Sequence, residues 1–205
     1  MSSPNFDLIA PFYDALATLV FGKAIRKSQA HYLDLIPNQA RVLILGGGTG
    51  WILLEISNQS LHIDYLDQSE KMLSKAKQRK ALFSAIRFIQ GNEDTIAGQS
   101  YDVVITPFVL DVCNDTQLPM MVEKIKRAIH KNGHWLCIDF NCYDTSLKAR
   151  CLDILMRYFF RITTGLKLNA LLPYFEAIKQ TDFKEISSTS FYGNFIQATW
   201  FQKNE

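Results

Sequence analysis

The stretch VLILGGGTG, residues 42 to 50, runs four apolar residues into four glycines within five positions. Ordering glycine is entropically expensive, so such a cluster belongs where the backbone turns sharply or meets a ligand at close range. A glycine-rich turn between a strand and a helix does both. Its backbone N–H groups and the helix N-terminus face the polar or anionic groups of a nucleotide-type cofactor at the switch point of a sheet. The spacing of Gly46, Gly48 and Gly50 is GxGxG. The dinucleotide fingerprint GxGxxG would need glycine at position 51, where this chain has Trp51, and no GK[ST] follows to make a P-loop. Asp67 agrees with a cofactor site. It follows Gly46 by 21 residues and closes a strand pattern, a place from which a carboxylate accepts hydrogen bonds from ribose hydroxyls. Asp67 also opens DQSE, and an acid suits the start of the next helix on dipole grounds alone.

These residues need a scaffold, and the pattern along the chain is that of one α/β domain. Residues 1–36 read as a helical extension with a break near Gly22. Strand patterns RVLIL (41–45), LHIDYLD (61–67), IRFIQ (86–90), YDVVITPF (101–108) and HWLCIDF (134–140) alternate with helical WILLEISN (51–58), SEKMLSKAKQRKALF (69–83) and QLPMMVEKIKRAIHK (117–131). Asn132-Gly133 closes the last of these helices. A helical stretch covers 146–180 with a break around Thr164-Gly165. Residues 183–203 form a hairpin around Tyr192-Gly193-Asn194. Strand–helix alternation implies a parallel sheet covered on both faces, and the hairpin suggests an antiparallel strand added at an edge.

Composition narrows the partners. The chain has 205 residues, 48% hydrophobic and 20% charged, enough for one sizeable core. Lysine and arginine number 22 against 20 acids, a near-balance that argues against a dedicated nucleic-acid binder. Cys113, Cys137, Cys142 and Cys151 form no CxxC and no metal-ligand spacing, so no metal site is expected. With no signal-peptide pattern and no run of about 18 apolar residues, the expectation is a soluble cytoplasmic protein.

In order along the chain, VLILGGGTG, YLDQSEKML, IRFIQGNED, YDVVITPFVLD and HKNGHWLCIDF resemble the motifs of class I S-adenosylmethionine-dependent methyltransferases over residues 40–141. The segment FDLIAPFYDALATLVFG (6–22) resembles the N-terminal helix of the subgroup that includes ubiquinone/menaquinone C-methyltransferases and related small-molecule and lipid methyltransferases. The resemblance implies a Rossmann-like seven-stranded mixed sheet of order 3-2-1-4-5-7-6, strand 7 antiparallel, and S-adenosylmethionine as cofactor. It implies the methionine portion over Gly46, Gly47 and Gly48 and the ribose on Asp67. Gln68 would border the adenine, Asn92 with Glu93 beside it would touch the adenine amino group, and Thr106 would lie near the amino-acid moiety. Where the family usually carries Asp or Glu, to brace the loop or receive the cofactor's ammonium, this chain has Ile44. That departure keeps a non-catalytic cofactor-fold protein as an alternative. An NAD(P)-binding oxidoreductase is disfavoured by Trp51.

Methyl transfer from a sulfonium is an in-line displacement, so alignment of the acceptor is the main task and a base matters only if the acceptor loses a proton. In such a sheet the acceptor lies outside the carboxyl ends of strands four and five. Candidates there are Asp111, Asp139, Asn141 and Tyr143, with Tyr13 from the covering helix. Asp111 also fits a loop or helix-start acid, Asp139 a loop brace, and Tyr13 simple packing. None of the four histidines has the setting of a catalytic group; His31 and His62 are expected without partners. Leu152, Leu155, Met156, Phe159 and Phe160 share a helical face opposite Arg150, Arg157 and Arg161. Together with Phe6, Phe12, Tyr13 and Phe21 they suggest an apolar or lipid-like acceptor, with transient membrane-surface contact through the arginines.

Overall fold

The computed structural model describes residues 7, 10–56, 60–79, 85–96, 98, 101–144, 146–164 and 171–204. Two short helices lead, α1 (Tyr13–Phe21) and α2 (Ala24–Ala30), parted at Gly22 as the sequence predicts. The alternating part follows: β1 (Arg41–Leu45), α3 (Trp51–Glu55), β2 (His62–Asp67), α4 (Glu70–Lys77), β3 (Ala85–Gln90), β4 (Tyr101–Pro107), α5 (Gln117–Ala128) and β5 (Ile129–Phe140). Helices α6 (Leu147–Thr164) and α7 (Tyr174–Lys179) precede the hairpin strands β6 (Phe183–Phe191) and β7 (Ile196–Lys203). The strands form one sheet of order β3-β2-β1-β4-β5-β7-β6. β1 to β5 run parallel, and β7 runs antiparallel to both of its neighbours.

Period-two alternation sends side chains to two cores. Val42, Ile44, Val103 and Ile105 join Phe21, Ile25, Leu53 and Leu73 on the face covered by α1 to α4. Leu43, Leu45, Val104 and Trp135 join Val122, Ile125, Phe175 and Ile178 on the face covered by α5 and α7. Because the central strands are parallel, all their carboxyl ends open on one side, and there the loops after β1, β2, β3 and β4 converge.

The sheet order, with antiparallel β7 inserted between β5 and β6, is the one the resemblance implies, and it leaves the polar-patterned β6 outermost. Two details depart from the sequence reading. Helix α5 stops at Ala128, and residues 129–140 are extended, with a register shift against β4 and Asn132 in a left-handed conformation, φ 61°. Asn tolerates that conformation, so the Asn132-Gly133 pair bends a strand instead of ending a helix. His31 is not without partners; its Nε2 is hydrogen-bonded with Thr189 Oγ1 at 3.0 Å and its ring packs on Tyr32 and Phe191. The expected ends of the first and second alternating helices, at 58 and 83, lie outside the described residues, as do Phe6, Gly165 and the side chains of Phe159, Phe160 and Arg161.

Candidate active site

The glycine loop is shaped from below by Tyr65. A Cβ on Gly47 would come within 2.2 Å of the Tyr65 ring, so only glycine allows the loop to lie on it. The Tyr65 hydroxyl donates to the Gly48 carbonyl at 3.1 Å. Gly48 is different in kind. Its φ is +62°, and a Cβ there would meet no protein atom within 4 Å, so that side of the backbone is left open. The Gly48 N–H donates to Asp67 Oδ2 at 2.8 Å and the Ser69 N–H to Asp67 Oδ1 at 2.9 Å. Asp67 is thereby fixed under the loop and is only 9% exposed. Burial raises its pKa above the usual carboxylate value, and the hydrogen bonds from Ser69 and Gly48 partly offset that rise.

The loop is held from above by α1. Asp14 Oδ1 accepts from Thr49 Oγ1 at 2.6 Å and from Trp51 Nε1 at 2.8 Å, and Asp14 Oδ2 accepts from Arg79 Nη2 at 2.6 Å. The Arg26 and Arg79 guanidinium groups both stack over the Trp51 ring, 4.0 and 4.3 Å from its centroid. Burial pushes Asp14 up, but the bonds from Thr49, Arg79 and Trp51 outweigh it and hold its carboxyl below the usual range. The place of Ile44 follows. On the central strand between β2 and β4, its side chain is fully buried in the apolar core under α1 to α4. A carboxylate on the covering helix braces the loop in this chain, not one on β1.

A cavity of about 280 Å³ opens between this clamp and the strand ends. It brings together Gly46, Gly47, Gly48, Asp67, Gln68, Asn92, Glu93, Tyr13 and Asp111 from distant parts of the chain. Asn92 Oδ1 also caps a 3-10 turn by accepting from the Asp94 N–H, and Glu93 faces Lys124 at 3.8 Å. Tyr13 keeps its proton, because burial and the carboxylates Asp111, Asp14, Asp67 and Asp139 all raise its pKa. Thr106 is not on the lining: it is fully buried, and its Oγ1 accepts from Trp135 Nε1 at 2.9 Å in the other core. Pro107, Phe108 and Val109 form that part of the wall. Phe108 adopts φ 58°, strained for a large side chain, while its N–H donates to the Ile138 carbonyl at 2.7 Å. Asn141 and Tyr143 are also off the lining, bonded to each other across one turn.

Asp111 and Asp139 have separate places. Asp139, fully buried at the end of β5, accepts from the Leu110 N–H at 2.9 Å and the Phe140 N–H at 2.8 Å, the arrangement of a loop brace. Asp111 sits in the turn it braces, lines the cavity, and has a buried Oδ1 without a hydrogen-bond partner. Burial raises both carboxyls, Asp139 to about 7, and the charge of Asp139 raises Asp111 further. Asp14, Arg26, Arg79 and Trp51 were not among the residues singled out for the site. Only Trp51 carried a signal, as the bulky residue where a glycine would suit a dinucleotide.

Residues 42–133 match the family model described as a methyltransferase domain. Sheet order, glycine loop and that match together define a class I S-adenosylmethionine-dependent methyltransferase, with S-adenosylmethionine as its cofactor. Among particular relatives, the chain is similar to a carboxy-S-adenosyl-L-methionine synthase of Campylobacter concisus, 27% identical over 94% of this chain and 86% of that protein. It is also similar to a ubiquinone/menaquinone biosynthesis C-methyltransferase of Methylobacterium nodulans, 25% identical over 77% of this chain and 65% of that protein. The fold superposes on the N-methyltransferase NodS of Bradyrhizobium japonicum, solved with S-adenosyl-L-homocysteine, with TM-score 0.70, 13% identity, and 90% and 88% of the two chains covered. The residues here fit such a cofactor: the open side of Gly48 is a cradle that a Cβ would fill, and Asp67 beside it offers a fixed carboxylate.

Proposed function

We propose that the chain transfers the methyl group to a small, largely apolar or lipid-like acceptor that enters between α1 and α6. The bound cofactor supplies an electrophilic methyl group on a positively charged sulfur. Gly46, Gly47 and Gly48 hold its methionine portion, Asp67 its ribose hydroxyls, and Gln68, Asn92 and Glu93 its adenine. The Asp14–Arg79–Trp51 clamp keeps α1 over the loop and excludes water, which matters because displacement needs the acceptor aligned within about 3–3.5 Å. The observation carrying the acceptor reading is the wall away from the carboxylates. Val20 and Phe21 of α1, Phe108, Phe140, and Leu155 and Met156 of α6 line it with apolar surface.

Exposed Phe12 just before α1, Leu19 on it, and Leu147 and Leu155 on α6 support brief contact with a lipid surface in a cytoplasmic setting. No helix among the described residues is long and apolar enough to cross a membrane. Arg157 is paired with Asp153 at 2.7 Å, and Arg150, exposed on that helix, is free to meet an acidic head group. No nucleic acid is expected as acceptor. The test is incubation with methyl-labelled S-adenosylmethionine and a cell extract split into lipid and polar fractions. Label in apolar products supports the reading; label only in compact polar products defeats it. The same run separates methylated acceptor from a carboxylated cofactor, the product in the name of the Campylobacter relative.

A further inference from the structure

We infer that the acceptor carries an acidic hydrogen, on carbon or on a phenolic oxygen, and that Asp111 removes it. This rests on the methyltransferase reading above. Four carboxylates line the cavity, and three are committed. Asp14 is held by Thr49, Trp51 and Arg79, Asp67 by two backbone N–H groups, and Glu93 faces Lys124. Asp111 is 5% exposed and its buried Oδ1 has no partner. Keeping a buried carboxylate oxygen unbonded is costly, and Asp111 lines the cavity, so a turn of its side chain offers that oxygen to a donor arriving there. No histidine, lysine or cysteine lines the cavity among the described residues, and Tyr13 stays protonated.

Asp139 is the positioning residue. It is pinned by the Leu110 and Phe140 N–H groups and cannot swing away from the Asp111 turn. The charge of Asp139 opposes ionisation of buried Asp111, so the pair holds one proton more avidly than an ordinary carboxyl and Asp111 becomes a stronger base. The other titratable groups beside the pair among the described residues are Tyr13 from α1, Tyr174 from α7, Cys113 from the same turn and Cys137 from β5, each kept neutral by burial and these charges. In the step, the acceptor's C–H or O–H bond breaks and its proton passes to the ionised Asp111. The electron pair left behind forms the bond to the methyl carbon, and the sulfur–methyl pair stays on sulfur as a neutral thioether. Asp111 then returns its proton to water. Tertiary amines and thioethers, which have no proton to lose, fall outside this chemistry.

The test uses the full chain, with β-naphthol, benzoylacetone and N,N-dimethyldodecylamine as acceptors and S-adenosylhomocysteine binding measured alongside by calorimetry. Turnover is expected on the phenol and the diketone in preference to the amine. Asp111→Asn should lower it by about 100-fold or more while S-adenosylhomocysteine affinity stays within about threefold. Asp139→Asn, which removes the neighbouring charge, should move the acid limb of the rate profile to lower pH, a readout that mere destabilisation does not move. Infrared spectroscopy of the protein with S-adenosylhomocysteine should show a protonated buried carboxyl that ionises as pH rises in step with the gain of activity, and Asp111→Asn should remove that band. Should Asp111→Asn misfold, Asp111→Glu must retain part of the turnover and Asp139→Asn must still shift the limb. Loss of adenosyl affinity in folded Asp111→Asn would make Asp111 a cofactor anchor and overturn the inference. Turnover on the amine alone, or on none of the acceptors by a wild type that binds S-adenosylhomocysteine, overturns it equally. A wild type that does not bind S-adenosylhomocysteine overturns the methyltransferase reading itself.

Discussion

Asp67 and Gly48 work as one unit, because the carboxylate proposed to receive the ribose also accepts the loop's own N–H at 2.8 Å. Replacing Asp67 with Ala removes a charged acceptor from ligand hydroxyls and weakens S-adenosylhomocysteine binding by about 1–3 kcal/mol, measured by calorimetry. The sequence alone gives no sign of how far this carboxylate is buried. Since Gly48 and Ser69 each lose an acceptor, the variant also melts at lower temperature than the wild type. Unchanged affinity in a folded Asp67→Ala protein would remove the residue from the site. Gly48→Val is a sharper probe of the same wall. It puts a β-branched residue at φ +62° with its side chain in the space left for the cofactor, so binding is abolished. Normal S-adenosylhomocysteine affinity in that variant would mean the loop is not the cradle. Both positions were legible from residue type and spacing. The site residues that were not legible, Asp14 and Arg79, lie 65 positions apart and meet only through the fold.

At the scale of elements, α1 is a cover held by its polar contacts as well as by its apolar face. Asp14 ties it to Thr49, Trp51 and Arg79, and Phe21 packs on Phe140 and Phe195. Asp14→Ala leaves the Arg79 and Trp51 donors without their acceptor and destabilises the fold by about 1–3 kcal/mol, readable by denaturant unfolding. Its pH behaviour has a definite sign. A carboxyl held below its unfolded pKa contributes stability that is fully present at neutral pH and is lost as pH falls through the folded value. The wild type therefore loses more stability than Asp14→Ala on acidification below the ordinary carboxylate range; equal losses would show that the clamp is not ionic in solution. Element type was readable from periodicity, since β1, β2, β3 and β4 fall within one residue of the predicted strands. Element ends were less so. The α5–β5 junction turned on whether Asn132 closes a helix or bends a strand, and the pairing of Ile129 with Tyr101 decides it.

For the whole molecule, the parallel strand order brings four loops to one side, and the inserted antiparallel β7 completes the sheet beside β5. Sequence pattern reaches the alternation and the cofactor loop because those are written locally. It does not reach the inward position of β7 by pattern alone, nor the choice between Asp111 and Asp139, because both depend on pairing between distant segments. The central claim is that the cavity over Gly48 and Asp67 takes an adenosyl cofactor and not a dinucleotide. Thermal unfolding of the full chain with S-adenosylmethionine, S-adenosylhomocysteine, NAD or NADP tests it most directly. At about 100 times its dissociation constant an adenosyl ligand adds about 2.7 kcal/mol, which raises the melting temperature by roughly 5–10 °C at this size, while NAD and NADP leave it unchanged. A shift with NAD or NADP, and none with either adenosyl ligand at millimolar concentration, would contradict the account.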